Sequence, residues 1–191
     1  RQSVWLDYFE KDGREFALLY STLLQTGMRP EEGCGLKWKC VSFDDNLLVI
    51  ENAYKDVTIY DDDMNIIGHK CQDGDLKTEE SYRTIPIAPR LRKMLINLKN
   101  DKIAMYEKEG KKWNESEYVF LNTADGPYVP ERLTTKMANF IRRYKLEHMT
   151  VYGLRHSFAT LNSEKGMDKE VLRENDTYQY YIGVFRSPAP R

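Results

Sequence analysis

The sequence has 191 residues, of which 41% are hydrophobic and 31% are charged, and this excludes a predominantly disordered chain. No apolar run approaches the roughly 20 residues that a membrane-spanning helix needs, which excludes that class of protein. The net charge of −1 does not indicate a nucleic-acid partner, but it does not exclude one, because binding depends on where basic residues gather.

The three cysteines, Cys34, Cys40 and Cys71, are odd in number and have no CxxC spacing. This pattern indicates a reducing compartment and argues against a structural zinc site. The sequence begins Arg1-Gln-Ser-Val-Trp5 without a signal peptide, so we expect it to start inside a longer protein.

The first half of the chain predicts two helices. Residues 1–13 are mixed in pattern, and Asp12-Gly13 predicts a turn. Apolar residues then recur at helical spacing from Phe16 to Leu24, and Gly27 is placed to end that helix. Pro30 starts a second, short helix with two glutamates in its first turn.

A β region follows. Leu47–Ile50 is a strand by its β-branched content, and 57–60 with 66–67 predict a hairpin around an acidic turn at 61–65. The acidic residues imitate the start of a calcium-binding loop, but its sixth and twelfth positions are wrong for that loop, so an acidic hairpin tip is favoured. A further strand spans 81–87, and Pro86 places its end at an edge.

The second half is mainly helical, with helices predicted from 91 to about 109, from 130 to 144 and around Arg155. Leu154, Phe158 and Leu161 recur at helical spacing and anchor the last of these to a core. This pattern puts Arg155 on the first turn of its helix, where free N–H groups favour an anion.

Arg29, Lys77 and Arg155 are the basic residues that context singles out. Converging on one spot, they would neutralise a phosphate and the charge that it gains in a transition state. A tyrosine beside them could act as a nucleophile, and Tyr178, Tyr180 and Tyr181 lie near the end of the chain. The residues alone leave open whether these groups converge or are separate surface side chains.

Four segments resemble the sequence boxes of tyrosine recombinases, the site-specific integrases. They are Thr26–Glu32 (TGMRPEE, followed by GLKW), Lys77–Ile87 (KTEESYRTIPI), Tyr152–Thr160 (YGLRHSFAT) and Thr177–Val184 (TYQYYIGV). The boxes occur in the family's order and the resemblance covers residues 14–184. The long β region is most similar to integrases of conjugative transposons.

The resemblance implies a mixed α/β fold, mainly helical with a small antiparallel sheet. It implies that Arg29 and Arg155 grip a scissile DNA phosphate and that Lys77 protonates the departing 5′ oxygen. Tyr181 would attack phosphorus and form a 3′-phosphotyrosyl bond, with Tyr180 as the alternative nucleophile. This bond conserves the backbone energy, so the family's chemistry implies no ATP, metal or other cofactor.

The resemblance also implies a biological setting. The partner would be double-stranded DNA carrying recombination sites, and the protein would self-associate on it as a dimer to tetramer, without a membrane. Arg83 and His156 are expected to bind DNA. Residues 1–191 would be one catalytic domain with a tail at 185–191, acting in the bacterial cytoplasm on the nucleoid to integrate or excise a mobile element.

Three departures from the family pattern bear on activity. Tyr152 stands where the family usually has histidine, and a phenol is a weaker proton carrier near pH 7. Residues 174–177 are too short to hold the family's leucine-Gly-His segment, and His69, His148 and His156 do not match its place. The family's N-terminal core-binding and arm-binding domains are absent from the sequence.

These departures leave two alternatives to a recombinase. One is a type IB topoisomerase-like enzyme with the same chemistry but without pairing of two sites. The other is a DNA-binding module that has lost catalysis.

Two regions could contact DNA by their composition. Basic residues cluster on two predicted helices, and they are either solvated faces or contacts to the duplex backbone. The β region from about 52 to 72 is longer than a minimal hairpin, and we hypothesise that it contacts DNA or a neighbouring protomer. The first cluster comprises Arg90, Arg92, Lys93 and Lys99, and the second comprises Arg132, Lys136, Arg142 and Arg143.

Overall fold

The computed structural model describes residues 2–74 and 82–164. The helices are α1 (Gln2–Asp12), α2 (Glu15–Thr26), α3 (Pro30–Gly35), α4 (Pro89–Lys108), α5 (Pro130–Tyr144) and α6 (Val151–Glu164). The strands are β1 (Val41–Ser42), β2 (Leu47–Ile50), β3 (Ala53–Tyr60), β4 (Ile66–Gly74) and β5 (Arg83–Pro86), and a short 3-10 turn at Trp38–Cys40 precedes β1.

Helix α2 lies at the centre of the core. Nearly all of its residues are buried, because α1, α6, α4 and α3 pack around it. Tyr20 donates a buried hydrogen bond of 2.7 Å to the carbonyl oxygen of Leu133, which ties α2 to α5. The rings of Phe9, Tyr20 and Phe140 pack together at this junction, so the central helix has aromatic contacts on the same side.

Helix α1 was not expected, since residues 1–13 show no clear periodicity. Its only buried residues are Trp5 and Phe9, which are four positions apart and face the same side. Two large aromatic anchors are enough to hold the helix on α2 and α5, but they are too few to produce a recognisable apolar stripe. The predicted turn is present, because Gly13 has φ +68° directly after the helix.

The predicted strands are confirmed, and they form two antiparallel sheets in the described part of the chain. One has the order β1-β2-β5, with Leu48 opposite Ile85 in its buried centre. Pro86 pairs with Leu47 at the outer strand β5, an edge position in keeping with its missing N–H. The other sheet is the β3–β4 hairpin, which is longer than the sequence predicted.

The hairpin projects from α3 and exposes its distal end. Asp61 accepts hydrogen bonds from the main-chain N–H groups of Asp63 and Asn65, so this acidic residue organises the turn. Five apolar side chains near the tip are 40–74% exposed. They are Ile59, Tyr60, Met64, Ile66 and Ile67.

The predicted fold class is confirmed: the described residues are mainly helical, with small antiparallel sheets. None of the helices between residues 2 and 74 or between 82 and 164 is long and apolar enough to cross a membrane.

Candidate active site

The junction between α2 and α3 forms the first part of the site. Gly27 ends α2 with φ +67° and donates its N–H to the carbonyl oxygen of Leu23. The chain then turns, and Pro30 occupies the first position of α3, where its missing N–H costs nothing. Arg29 therefore lies at the N-cap of α3 with an extended backbone, and its side chain is 45% exposed.

Glu32 lies beneath Arg29 and is almost fully buried. Its Oε2 accepts the main-chain N–H of Arg29 at 2.8 Å, and its Oε1 accepts Nη1 of the same residue at 2.9 Å. Arg83, at the start of β5, donates Nη1 to Oε1 at 3.0 Å and Nη2 to Oε2 at 2.7 Å. One carboxylate thus joins two arginines that are 54 positions apart in the sequence.

The protonation state of Glu32 follows from these contacts. Burial by itself raises the pKa of a carboxyl group and is the largest single effect here, and the hydrogen bond and the charge of Arg83 oppose it. The main-chain N–H and the side chain of Arg29 act in the same direction, and the pKa of Glu32 is lowered from its usual 4.5. Glu32 is therefore a carboxylate at neutral pH.

Helix α6 supplies Arg155. Leu154 and Phe158 are buried as expected, but the helix begins at Val151, so Arg155 lies in its second turn. The predicted anion site at the helix start therefore does not include Arg155. Its guanidinium instead donates a hydrogen bond from Nη1 to the carbonyl oxygen of Gly27, two residues before Arg29.

Arg29, Arg83 and Arg155 come together at this junction. Burial is the largest cause of the lowered pKa of Arg155. The positive charges of Arg29 and Arg83 lower this pKa further, and the negative charge of Glu32 opposes them. Arginine still remains protonated near neutral pH. The three guanidiniums lie close to the carboxylates of Glu31 and Glu32, and the charge of Glu131 also acts on Tyr152 in this site.

Tyr152 lies beside this cluster on the first turn of α6. Its hydroxyl donates to Oε1 of Glu31 at 2.7 Å, and the side chain is about half exposed. This hydrogen bond, together with burial and the charge of Glu31, raises the pKa of Tyr152 to about 12. The phenol is therefore a neutral group that can orient a ligand but does not exchange its proton readily near pH 7.

The two residues that were expected to bind DNA lie in different environments. The Arg83 side chain is 5% exposed and is held by Glu32, so it cannot reach a phosphate without leaving that carboxylate. The expected contact of Arg83 with DNA stays a prediction. His156 is exposed on α6, next to Arg155 in the sequence.

Lys77, Tyr180 and Tyr181 lie outside the described residues. The chain is anchored just before the Lys77 segment by Asp73, whose carboxylate accepts three side-chain hydrogen bonds. The donors are Nζ of Lys37 at 2.6 Å, Nδ2 of Asn52 at 2.9 Å and the hydroxyl of Tyr118 at 2.8 Å.

The sequence did not identify the roles of Glu31, Glu32 and Asp73. A sequence signal for Glu32 exists, because an acidic residue three positions after an N-cap commonly accepts that residue's N–H. No comparable signal exists for Asp73, whose donors come from three separate segments. Within the described parts of the chain, no three His, Cys, Asp or Glu side chains gather as a metal site.

Comparison with known proteins identifies the family. The model of the phage integrase family matches residues 6–175, which is most of the chain. The chain belongs to the phage integrase family. The match includes the segments that carry Arg29, Arg83, Tyr152 and Arg155.

Curated members of this family have similar sequences. The chain is 28% identical over 175 residues to a XerC-like tyrosine recombinase of Caldanaerobacter subterraneus subsp. tengcongensis, covering 85% of this chain and 42% of that protein. It is 29% identical over 171 residues to the transposase of transposon Tn916 from Enterococcus faecalis, covering 84% and 37%. The chain thus spans less than half the length of these relatives.

Solved integrase structures have the same fold. The integrase of transposon Tn1549, in complex with transposon right-end DNA, superimposes with a TM-score of 0.67 at 17% identity. That comparison covers 99% of this chain and 60% of the other. The XerA recombinase gives a TM-score of 0.60 at 15% identity, covering 89% and 50%.

Proposed function

We propose that this chain is the catalytic domain of a tyrosine recombinase, which cuts and rejoins DNA strands at specific sites. The observation that carries the proposal is the cluster of Arg29, Arg83 and Arg155 in a chain of the phage integrase family. A cluster of guanidiniums suits a DNA phosphodiester, whose oxygens accept their hydrogen bonds. It would favour the additional negative charge that phosphorus acquires during substitution.

The proposed chemistry assigns four roles. Arg29 and Arg155 bind the nonbridging oxygens of the scissile phosphate, because a guanidinium donates two parallel hydrogen bonds to such a group. Tyr181 reacts as the phenolate, its proton having passed to solvent. Its oxygen forms a bond to phosphorus, and the bond from phosphorus to the 5′ oxygen breaks. Lys77 gives its proton to that oxygen.

The intermediate is a 3′-phosphotyrosyl ester, which exchanges one phosphoester for another. Attack by a 5′ hydroxyl reverses the reaction and releases the tyrosine. Tyr152 orients the phosphate as a neutral hydrogen-bond donor once its hydroxyl leaves Glu31. The exposed position of His156, adjoining Arg155 in the sequence, is compatible with a contact to the DNA backbone.

The basic residues of α4 and α5 differ in their availability to DNA. Three of those on α4 have partners within the described part of the chain: Arg90 pairs with Asp7 and Glu10, Arg92 donates to Asn46, and Lys99 pairs with Glu115. On α5, Arg132 and Arg143 are exposed. Arg143 lies over the ring of Tyr144, however, and Lys93 of α4 is exposed as well. We therefore assign contacts with the duplex backbone to Arg132 and Lys93.

A covalent capture experiment tests the proposal without requiring a defined DNA site. The 191-residue chain is incubated with a pool of nicked duplexes that have a random central segment, and adducts are isolated under denaturing conditions and sequenced. We expect an adduct from the wild type and from Tyr180→Phe, and none from Tyr181→Phe. Retention of DNA without an adduct from any of the three proteins supports the binding-module alternative.

A second measurement separates a recombinase from a topoisomerase-like enzyme. Two duplexes of the captured sequence, labelled with different fluorophores, are mixed with the protein and examined for co-migration in a native gel. A recombinase pairs the two duplexes, whereas a nicking-closing enzyme acts on each one alone.

A further inference from the structure

We propose that Arg83 is a positioning residue for Arg29, which it holds in place through Glu32. This inference rests on the proposed function, since it concerns how the phosphate-binding arginine is oriented. It replaces the expected role of Arg83 as a DNA contact.

The contact between Arg83 and Glu32 is a buried, two-point ion pair. The Arg83 side chain is 5% exposed and that of Glu32 is 2% exposed, and both carboxylate oxygens accept from the guanidinium. This planar fork fixes the orientation of the carboxylate as well as its position.

The same two oxygens determine where Arg29 lies. Oε1 of Glu32 accepts from Nη1 of Arg29, and Oε2 accepts from its main-chain N–H. Each oxygen therefore accepts two hydrogen bonds, which uses the capacity of a carboxylate. Because Arg83 fills the inner sites of Glu32, Arg29 is bound at the outer edge, where its side chain is 45% exposed.

Loss of Arg83 would change how Glu32 binds Arg29. Glu32 would remain buried with Arg29 as its main cationic partner, and an unpaired buried charge is costly. The carboxylate would then bind more of the Arg29 guanidinium and draw it away from the surface. The expected defect is in the contact between Arg29 and the phosphate, and it should therefore appear only when Arg29 is present.

A double-mutant cycle tests this coupling. The variants are Arg83→Met, Arg29→Ala and the double variant, and the measurement is the rate of adduct formation on a saturating captured duplex. We expect Arg83→Met to slow adduct formation about tenfold in the wild-type background and less than about threefold in the Arg29→Ala background. Equal slowing in both backgrounds would show that Arg83 acts independently of Arg29, and it would overturn the proposal.

The salt dependence of binding distinguishes positioning from DNA contact. Affinity for the captured duplex is measured at several salt concentrations, with the adduct-forming tyrosine replaced by phenylalanine. Removal of a phosphate contact lowers the slope of log affinity against log salt by about 1. We expect that decrease for Arg29→Ala and no further decrease when Arg83→Met is added to Arg29→Ala, because a positioning residue acts only through Arg29. A further decrease in the double variant would show a separate phosphate contact by Arg83 and contradicts the proposal.

Loss of stability is controlled by a second variant. Glu32→Gln/Arg83→Met removes both buried charges, and such replacements are often neutral for stability. We expect it to regain the thermal midpoint lost in Arg83→Met while adduct formation stays slow, because Arg29 still lacks its oriented carboxylate. Recovery of both properties together would assign Arg83 a role in folding alone.

A final readout does not depend on DNA. The Nε–H group of Arg29, assigned by comparison with Arg29→Lys, is followed by NMR relaxation in the free protein. We expect the order parameter of this N–H group to differ between the wild type and Arg83→Met. An unchanged order parameter overturns the proposal. If the wild type forms no adduct, the proposed function fails, while this measurement still decides whether Arg83 positions Arg29.

Discussion

The ring of Phe158 lies where a β-carbon on Gly27 would have to stand. A β-carbon built on Gly27 would be 2.4 Å from Cδ1 of that ring, well inside van der Waals contact. Close approach of α6 to the end of α2 is what brings the Arg155 guanidinium to the carbonyl oxygen of Gly27. The missing side chain at Gly27 therefore helps to assemble the arginine cluster.

Gly27→Ala tests this packing, and Gly110→Ala is its matched control. Both glycines have φ +67°, but no atom lies within 4 Å of a β-carbon built on Gly110. The left-handed backbone alone costs about 1–2 kcal/mol, and overpacking adds about 1–3 kcal/mol. We expect Gly27→Ala to lower the thermal midpoint clearly more than Gly110→Ala, by roughly 2–4 °C per additional kcal/mol. Equal decreases would mean that Phe158 moves aside freely.

The sequence predicted most elements because their signals are local. Helix α2 has a continuous apolar stripe and a glycine stop, and β5 has a proline at a sheet edge. The missed helix α1 depends on Trp5 and Phe9, whose burial comes from packing against other helices. The predicted start of α6 was too late in the sequence, because the apolar pattern from Leu154 onward does not include the buried Val151.

The arrangement of the site was harder to predict than the elements, because it depends on contacts between distant segments. The boxes identified Arg29 and Arg155, but not the buried carboxylate that links Arg29 to Arg83. Arg83 was expected to bind DNA, and the sequence does not reveal that Glu32 is buried opposite β5. The buried ion pair of Arg83 with Glu32 is the contact on which we base the proposal of an internal, supporting role.

The buried carboxylate of Glu32 should make the stability of the protein depend on pH. Its pKa in the folded protein is below the usual 4.5, so its stabilising effect is fully present above about pH 4.5 and is lost as the pH falls through the folded value. Glu32→Gln leaves Arg83 without its carboxylate, and we expect a loss of about 3–5 kcal/mol at pH 7. Thermal midpoints between pH 7 and pH 3 should therefore converge for the wild type and the variant at the acidic end.

Glu51→Gln is the control for that measurement. Glu51 also has a lowered pKa, chiefly because Lys39 donates to it, but both side chains of this pair are more than a third exposed. An exposed pair contributes less than about 1 kcal/mol, so we expect only a small change at pH 7. Parallel curves for the wild type and Glu32→Gln down to pH 3 would contradict the role assigned to the buried carboxylate.

Removing the hydroxyl of Tyr152 should have a moderate effect on the rate of adduct formation. If its phenol only orients the phosphate, Tyr152→Phe removes one hydrogen bond and should slow the reaction by about tenfold or less. A proton carrier would contribute about 100-fold or more. Because the pKa of Tyr152 is about 12, the pH dependence of the rate between pH 6 and pH 9 should keep its shape in Tyr152→Phe.

Tyr152→His and Glu31→Gln complete that comparison. Histidine ordinarily titrates near pH 6.5, so Tyr152→His should introduce a new dependence of the rate on pH in this range. Glu31→Gln frees the tyrosine hydroxyl from its charged acceptor, and we expect the rate to stay the same or to rise. A loss of about 100-fold or more in Tyr152→Phe would instead assign proton transfer to the phenol.

We predict that the tip of the β3–β4 hairpin contributes to binding and not to the stability of the fold. The apolar side chains at its tip are exposed and lie outside the hydrophobic core, so replacing residues 60–66 by Asn-Gly should leave the thermal midpoint nearly unchanged. If the hairpin contacts DNA or a neighbouring protomer, the same replacement should weaken DNA binding or the pairing of two duplexes. Both are measured by native gel with the captured sequence.

Met105→Gln is the control for the hairpin experiment, because Met105 is an exposed apolar residue on α4, at 42%. Its replacement removes apolar surface of a similar kind from another part of the molecule, and we expect no change in either binding assay. If Met105→Gln weakens binding or pairing as much as the shortened hairpin does, loss of apolar surface in general explains the result. If the shortened hairpin binds and pairs DNA like the wild type, the hairpin has no part in either step.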